Sequence, residues 1–382
     1  MQKSLRQTEL VWVDQPEKLR QAAGELAAEK VLAVDTESNS LYAYREQVCL
    51  IQFSSRQKDY LVDAMVLPDL SPLEEIFLTD RILKVFHAAE YDLICLFRDY
   101  GFRFNHLFDT MIAARILGYD KIGLGALLEQ YFNIHMNKKY QRANWGKRPL
   151  KAEMLDYARL DSHYLISLQE HLRQELVKAD LWDLALEDFR RLTQGIEDTT
   201  ESHEDDFWKL NGARDLNPEK AAVLKSLYDF RESTAESQNR PPFKVISNQA
   251  LVEMAETWPK CHRDLLKLSA LHERQAKRYG RGLLGAIARG KYAPPAYPPN
   301  NCRPHNSVLK RIDTLRNWRK HTGQALGVPS DVILPRDVLN RIAWANPDSM
   351  DALNAEMWDV PYRFDRFGEK ILAKINKKTH IL

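Results

Sequence analysis

The segment Val34-Asp35-Thr36-Glu37 sets two carboxylates at alternate positions within an apolar run. On a β-strand, residues two apart face the same side, so Asp35 and Glu37 present their carboxylates together, about 7 Å apart along the chain. Like charges side by side on a buried strand repel each other and lose hydration. A divalent cation with hard oxygen ligands neutralises them directly. An isolated Asp-x-Glu more often marks a strand running out into solvent, so other residues must decide. Asp92 stands one turn beyond the apolar run Leu83–His87, at the start of an apolar-periodic helix; alone, it reads as a helix-start acid stabilised by the dipole. Tyr157 and Asp161 are four residues apart, which on a helix puts phenol and carboxylate on one face.

These side chains need a scaffold that brings them together. Asp14, Pro16 and Glu17 read as the start of a helix ending near Ala28. β-type runs follow at Val31–Glu37, Val48–Ser54 and Tyr60–Val62. Ser71-Pro72 opens a short helix, Leu83–His87 is a further strand, and helices are expected at Tyr91–Arg98, Asp109–Leu117, Gly125–Tyr131 and Glu153–Gln174. Three consecutive strands followed by strand–helix alternation predict an α/β domain, a mixed sheet with flanking helices.

Farther along, the chain becomes helical only and repeats itself at a fixed offset of 88 residues. Leu227, Arg231, Thr234 and Pro241 match Leu315, Arg319, Thr322 and Pro329; Leu251, Ala255, Pro259 and Leu265 match Leu339, Ala343, Pro347 and Leu353. Arg278, Gly280, Leu284 and Ile287 match Arg366, Gly368, Leu372 and Ile375, and the register holds without a gap. Such self-similarity is a tandem repeat. The expected division is a domain over 1–192 that ends in a trailing helix, an acidic linker over 193–210, helical domains over 211–292 and 305–382, and a stiff Pro-rich spacer over 293–304 between them. The two repeats read as separable units.

At 382 residues the chain is long enough for two or three domains. Its longest apolar runs are far too short to span a bilayer, and Met1–Leu10 lacks the apolar core of a signal peptide. The cysteines, Cys49, Cys95, Cys261 and Cys302, form no CxxC pair. That spacing argues against a zinc site or a disulfide framework and favours a reducing compartment, so a cytoplasmic location is expected. The net charge of +2 decides little, but residues 138–151 carry Lys138, Lys139, Arg142, Lys147, Arg148 and Lys151 with no acid among them. Lys138-Lys139-Tyr140-Gln141-Arg142 with Trp145 and Arg148 interleaves cations and aromatics, a composition suited to single-stranded nucleic acid; the plainer alternative is a solvated loop anchored by Trp145 in the core.

Taken together, Asp35 with Glu37, then Asp92, then Tyr157 with Asp161 resemble the three motifs of the DEDD exonucleases, in the subgroup whose third motif is Tyr-x-x-x-Asp. The neighbouring segments Cys49-Leu50-Ile51-Gln52, Phe86-His87-Ala88-Ala89, Phe108-Asp109-Thr110 and Tyr157-Ala158-Arg159 are similar to the ribonuclease D family, and Tyr140–Tyr164 is also similar to the related exonuclease of the nuclear exosome. The helical repeats resemble HRDC domains, and two copies fit the bacterial ribonuclease D arrangement. The resemblance implies a ribonuclease H-like exonuclease fold followed by two all-α HRDC domains. It implies a 3′→5′ exoribonuclease that releases nucleoside 5′-monophosphates with two divalent cations, Mg²⁺ or Mn²⁺. In that scheme Asp35 bridges both ions, Glu37 and Asp161 hold the first, Asp92 supports the second, and Tyr157 orients the attacking water. Its implied substrates are the 3′ ends of tRNA precursors and other small structured RNAs, acted on by a monomer.

Other residues carry weaker readings. Asp109 reads as a helix N-cap, His87 as a hydrogen-bonded core histidine more than a catalytic one, Tyr42 and Tyr44 as packing; His163 and Tyr164 receive no role. A DNA-directed 3′→5′ exonuclease uses the same metal chemistry, and only contacts to the 2′-hydroxyl separate the two. An inactive nucleic-acid-binding scaffold is the third reading, disfavoured because no motif acid is missing.

Overall fold

A computed structural model of the chain describes residues 8–196, 203–299 and 304–376. Parts of the expected acidic linker and Pro-rich spacer, Cys302, and the end of the second repeat lie outside the described residues. The chain divides into two compact units, one formed by 1–37, 48–198 and 303–382, the other by 38–47 and 199–302.

The first unit opens with β1 (Glu9–Val13), α1 (Pro16–Ala27), β2 (Val31–Ser38), β3 (Val48–Ser54), β4 (Lys58–Val62), α2 (Glu74–Leu78), β5 (Leu83–Phe86), α3 (Glu90–Tyr100) and β6 (Leu107–Asp109). Helices α4 (Thr110–Ile116), α5 (Leu124–Phe132), α6 (Ala152–His163), α7 (Leu165–Lys178) and α8 (Trp182–Gln194) follow. The sheet order is β1-β4-β3-β2-β5-β6. β3 and β4 pair antiparallel, whereas β1–β4, β2–β5 and β5–β6 are parallel, so the sheet is mixed as expected. Leu32 and Val34 face a core shared with Leu26, Phe77 and Leu96 of α1, α2 and α3. Ala33 faces the other core, with Ala113, Leu168 and Leu172 from α4 and α7. This alternation puts Asp35 and Glu37 on the Ala33 side.

The structure departs from the sequence reading at three places. β1 and β6 are additional edge strands, and β4 starts at Lys58. The helix expected over Glu153–Gln174 is two helices joined at Tyr164. No Pro or Gly marks that joint; Ser162 and His163 beside it are instead held by Ser54 and Asp59.

The second unit holds the first repeat: α9 (Pro218–Ser237), α10 (Pro242–Val245), α11 (Asn248–Thr257), α12 (His262–Leu265) and α13 (Glu273–Tyr292). The second repeat, α14 (Asn306–Leu326), α15 (Ser330–Ile333), α16 (Arg336–Ala345), α17 (Met350–Glu356) and α18 (Pro361–Ile375), belongs to the first unit. Its Leu315, Ile342, Leu353 and Phe367 share one apolar cluster with Phe108, Leu184 and Phe189. The second repeat is therefore packed onto α8 and not a detached unit. Among the described residues, no helix is long and apolar enough to cross a membrane.

Candidate active site

Three elements supply the four acids. Asp35 and Glu37 come from β2, Asp92 from the first turn of α3, and Asp161 with Tyr157 from one face of α6. Carboxylate oxygens of Asp35, Glu37 and Asp161 all lie within 4.8 Å of one another. Asp92 stands outside that trio and accepts a hydrogen bond from the Thr36 hydroxyl. Among the described residues no Lys or Arg pairs with any of the four. Burial, and then the neighbouring carboxylates Asp92, Asp161 and Glu37, push Asp35 well above the ordinary carboxylate range. Glu37 is raised by burial and by Asp161 and Asp92. Burial brings Asp92 up to about 7. Asp161 rises to about 8, chiefly through burial, against the lowering effect of its hydrogen bond from Tyr157. Such a centre binds protons or a hard cation.

Local structure explains the placement. Asp109 caps α4, accepting from the N–H groups of Met111 at 2.8 Å and Ile112 at 3.0 Å, and also takes the Ala89 N–H at 2.7 Å. Its other oxygen thus ties the turn that leads into α3, and the N-cap reading of Asp109 holds. On the far side of α6, Arg159 and His163 converge on buried Asp59, with Arg159 Nη2 at 2.9 Å and His163 Nδ1 at 3.0 Å. These contacts fix the rotation of the helix that presents Tyr157 and Asp161, which answers what His163 does.

The basic loop divides into two sets. Lys138 and Gln141 line the same cavity as Asp35, Glu37 and Asp161, a space of about 660 Å³. Lys139 and Arg142 are exposed, and the Lys139 ammonium lies over the Tyr140 ring at 5.2 Å. Trp145 and Arg148 do not face the cavity. Trp145 is 1% exposed and lies 6.1 Å from the Tyr157 ring, with Tyr140 also at 6.1 Å. Arg148 is committed to Asp63 through Nε at 2.6 Å and to the Cys49 carbonyl at 2.9 Å. Both therefore back the site and do not lie open to a strand of nucleic acid. The cavity also holds His87, Lys121, Gly123 and His135, of which only His87 stood out in the sequence. Lys121 and His135 belong to connecting segments flanking α5, where no periodicity marks a residue.

The match to known proteins follows the same division. Residues 10–177 match the model of a 3′-5′ exonuclease domain, and 220–287 and 308–375 each match the HRDC domain. Exosome complex component 10 homolog of Caenorhabditis elegans is 33% identical over 67% of this chain and 30% of that protein. Ribonuclease D of Jannaschia sp. is 30% identical over 92% of this chain and 91% of that protein. The chain thus spans about a third of the exosome proteins' length, 30% and 36% in the worm and yeast examples. The crystal structure of Escherichia coli RNase D superposes with a TM-score of 0.70, covering 92% of this chain and 100% of that one at 21% identity.

Proposed function

The chain belongs to the ribonuclease D family of 3′→5′ exoribonucleases, and on that footing we propose that Asp35, Glu37, Asp92 and Asp161 hold two divalent cations, Mg²⁺ or Mn²⁺. The observation that carries this reading is the trio of carboxylates within 4.8 Å of one another, with no basic partner among the described residues. Bound there, the cations would generate the attacking hydroxide and neutralise charge on the scissile phosphate and the departing 3′-oxygen. Tyr157 stays protonated, because burial and the charges of Asp161 and Glu37 push its phenol still further above the usual 10. It donates to Asp161 and positions water; it is no general base. Lys138 and Lys121 supply charge for backbone phosphates at the mouth. Lys139, Gln141 and Arg142 are on hand for the strand that leads in, and the product is a nucleoside 5′-monophosphate. The proposed substrates are the 3′ ends of tRNA precursors and small structured RNAs, processed in the cytoplasm by a monomer whose helical repeats hold RNA.

Asp35→Asn should abolish release of mononucleotides from a labelled oligoribonucleotide while leaving the melting curve intact. Retained wild-type turnover would sink the assignment. EDTA should stop the reaction and Mg²⁺ or Mn²⁺ restore it. Cation binding must expel the protons held by Asp92 and Asp161 at about 7 and about 8. The half-saturating Mg²⁺ concentration should therefore fall between pH 6 and pH 9, by up to about tenfold per unit for each proton displaced. A flat dependence would mean the acids are already ionised before the cation arrives.

A further inference from the structure

His87 follows the last residue of β5 beside Asp35. β2 and β5 run parallel in register, with Ala33 opposite Val85, so two residues on, Asp35 and His87 continue the two strands side by side. Both line the same cavity. The turn beyond is held in place: Ala88 adopts a left-handed φ of 61°, and the Ala89 N–H is tied to Asp109 at 2.7 Å.

The imidazole's hydrogen bonding settles which of its nitrogens can meet a ligand. Nδ1 lies 2.9 Å from the Thr110 hydroxyl oxygen. That hydroxyl has one proton and donates it to the Phe86 carbonyl at 3.0 Å. With its proton on the Phe86 carbonyl, the threonine oxygen accepts from His87; this arrangement assigns the ring proton to Nδ1 and leaves Nε2 its lone pair. With Nδ1 engaged by Thr110, Nε2 of the neutral ring is the acceptor left for a ligand in the cavity.

An acceptor on the floor of a nucleotide cavity selects for a hydrogen-bond donor. Phosphate oxygens offer none; the terminal sugar offers its 3′-hydroxyl in RNA and DNA alike, but a 2′-hydroxyl in RNA only. The sugar of the terminal nucleotide is joined directly to the phosphate that the acids handle, so it is the part that reaches the neighbouring strand end. We infer that His87 reads the sugar: its Nε2 accepts a hydrogen bond from the 2′-hydroxyl of the 3′-terminal nucleotide and gives the site its preference for RNA. This rests on the exoribonuclease reading above, and it names a residue for a discrimination that the motif acids cannot make.

The test uses the full chain and three short oligoribonucleotides that differ only in the last sugar: ribose, 2′-deoxyribose or 2′-fluororibose. The fluoro sugar keeps an RNA-like pucker but has no proton to donate. Wild-type protein should favour ribose over both others by about tenfold in kcat/KM, the worth of one hydrogen bond. His87→Asn places its amide where Nδ1 sits, keeping the Thr110 contact but losing the reach to the sugar, so it should level the three rates. His87→Gln extends its amide to the Nε2 position and should retain the preference. Melting curves, and the shift Mn²⁺ produces in them, report whether each variant is folded and loaded. Hydrolysis of the fluoro end as fast as the ribose end by wild-type protein would overturn the inference without any variant. So would an unchanged preference in a folded His87→Asn. Failure of the wild type on all three ends would instead take down the exonuclease reading, and this inference with it.

Discussion

The two helical repeats share a register of 88 residues and a backbone plan, yet they close the same helix end by different means. Both turn through left-handed backbone at matching points: Asn239 (φ 44°) and Gly327 (φ 69°), then Trp258 and Asn346 (both φ 52°). They part company where the last helix begins. In the first repeat, His272 and Gln275 cap α13 reciprocally, and Gln275 Nε2 donates to the Val245 carbonyl at 2.8 Å. In the second, Val360 stands at the cap of α18 and offers no side-chain acceptor. Glu187 of α8 takes that role, accepting from the N–H groups of Tyr362 at 2.7 Å and Arg363 at 3.3 Å. Arg363, at the position of Gln275, is fully buried; it donates to the Val332 carbonyl at 2.9 Å and pairs with Glu187 and Asp188. One repeat is complete in itself, and the other borrows its cap from the catalytic part of the chain.

The sharpest way to break this comparison is to remove the borrowed group. Glu187→Ala strips the cap and leaves the Arg363 guanidinium buried without its main partner. Breaking one side of a buried pair costs about 3–5 kcal/mol. The loss should appear as faster hydrogen exchange in α18 and α8, with α13 unaffected. Equal protection of α18 in variant and wild type would mean that packing alone holds the second repeat. Replacing both partners, Glu187→Gln with Arg363→Met, keeps an acceptor for the Tyr362 N–H and removes both charges. It should recover part of that loss, because a buried ion pair exchanged for neutral groups of similar volume is close to neutral, while Asp188 gives up its own contact with Arg363.

This borrowing was not legible in the sequence, for a physical reason. Glu187 and Arg363 are 176 residues apart, and neither carries a local pattern that asks for the other. Local patterns, by contrast, read well. The period of two on β2 and the i, i+4 spacing on α6 are set by backbone geometry, so the grouping of Asp35, Glu37 and Asp161 follows once the strand and helix lie side by side. The repeat was legible because a gapless offset needs no three-dimensional knowledge. For Trp145 and Arg148 the composition of the loop left contact with nucleic acid and anchoring in the core both open, because it does not say which side chains turn inward; Trp145 is the core anchor. Edge strand β6 was missed because three residues, Leu107–Asp109, are too few to show alternation.

A medium effect is expected where the first repeat closes on itself. At Gly290 of α13, an added Cβ would meet the Val223 Cα of α9 at 2.5 Å. Gly290→Ala must push the two helices apart, at a cost of about 1–3 kcal/mol, as overpacking does in a tight core. Calorimetry of the full chain should show the destabilisation. Exchange should locate it in α9 and α13 and spare α14 and α18. Next in size comes Gln275→Ala, which removes half of the self-made cap and should cost about 1 kcal/mol. That is well below the loss from Glu187→Ala at the matching helix end. If the two cap losses proved equal, the distinction between a self-contained and a dependent repeat would fail.

The smallest effect concerns the shared left-handed turn, where the repeats use different residues for one conformation. Gly327 has no atom within 4 Å of where its Cβ would stand, so Gly327→Ala meets no steric clash and its cost is that of the backbone alone. For a non-glycine residue at φ 69° that cost is about 1 kcal/mol. Asn239 adopts the same region at φ 44°, and asparagine tolerates it better than other side chains. Asn239→Gly relaxes the backbone but frees the unfolded chain and loses the hydrogen bond that Asn239 Oδ1 accepts from the Tyr44 N–H at 3.1 Å, so it should cost no more than about 1 kcal/mol. Gly327→Asn, which copies the first repeat into the second, should cost less than Gly327→Ala despite its larger side chain. Denaturant titration of the three variants would check the order. A costlier Gly327→Asn would mean that the turn in the second repeat is constrained by its surroundings as well as by φ, and the two repeats would then differ at a second point.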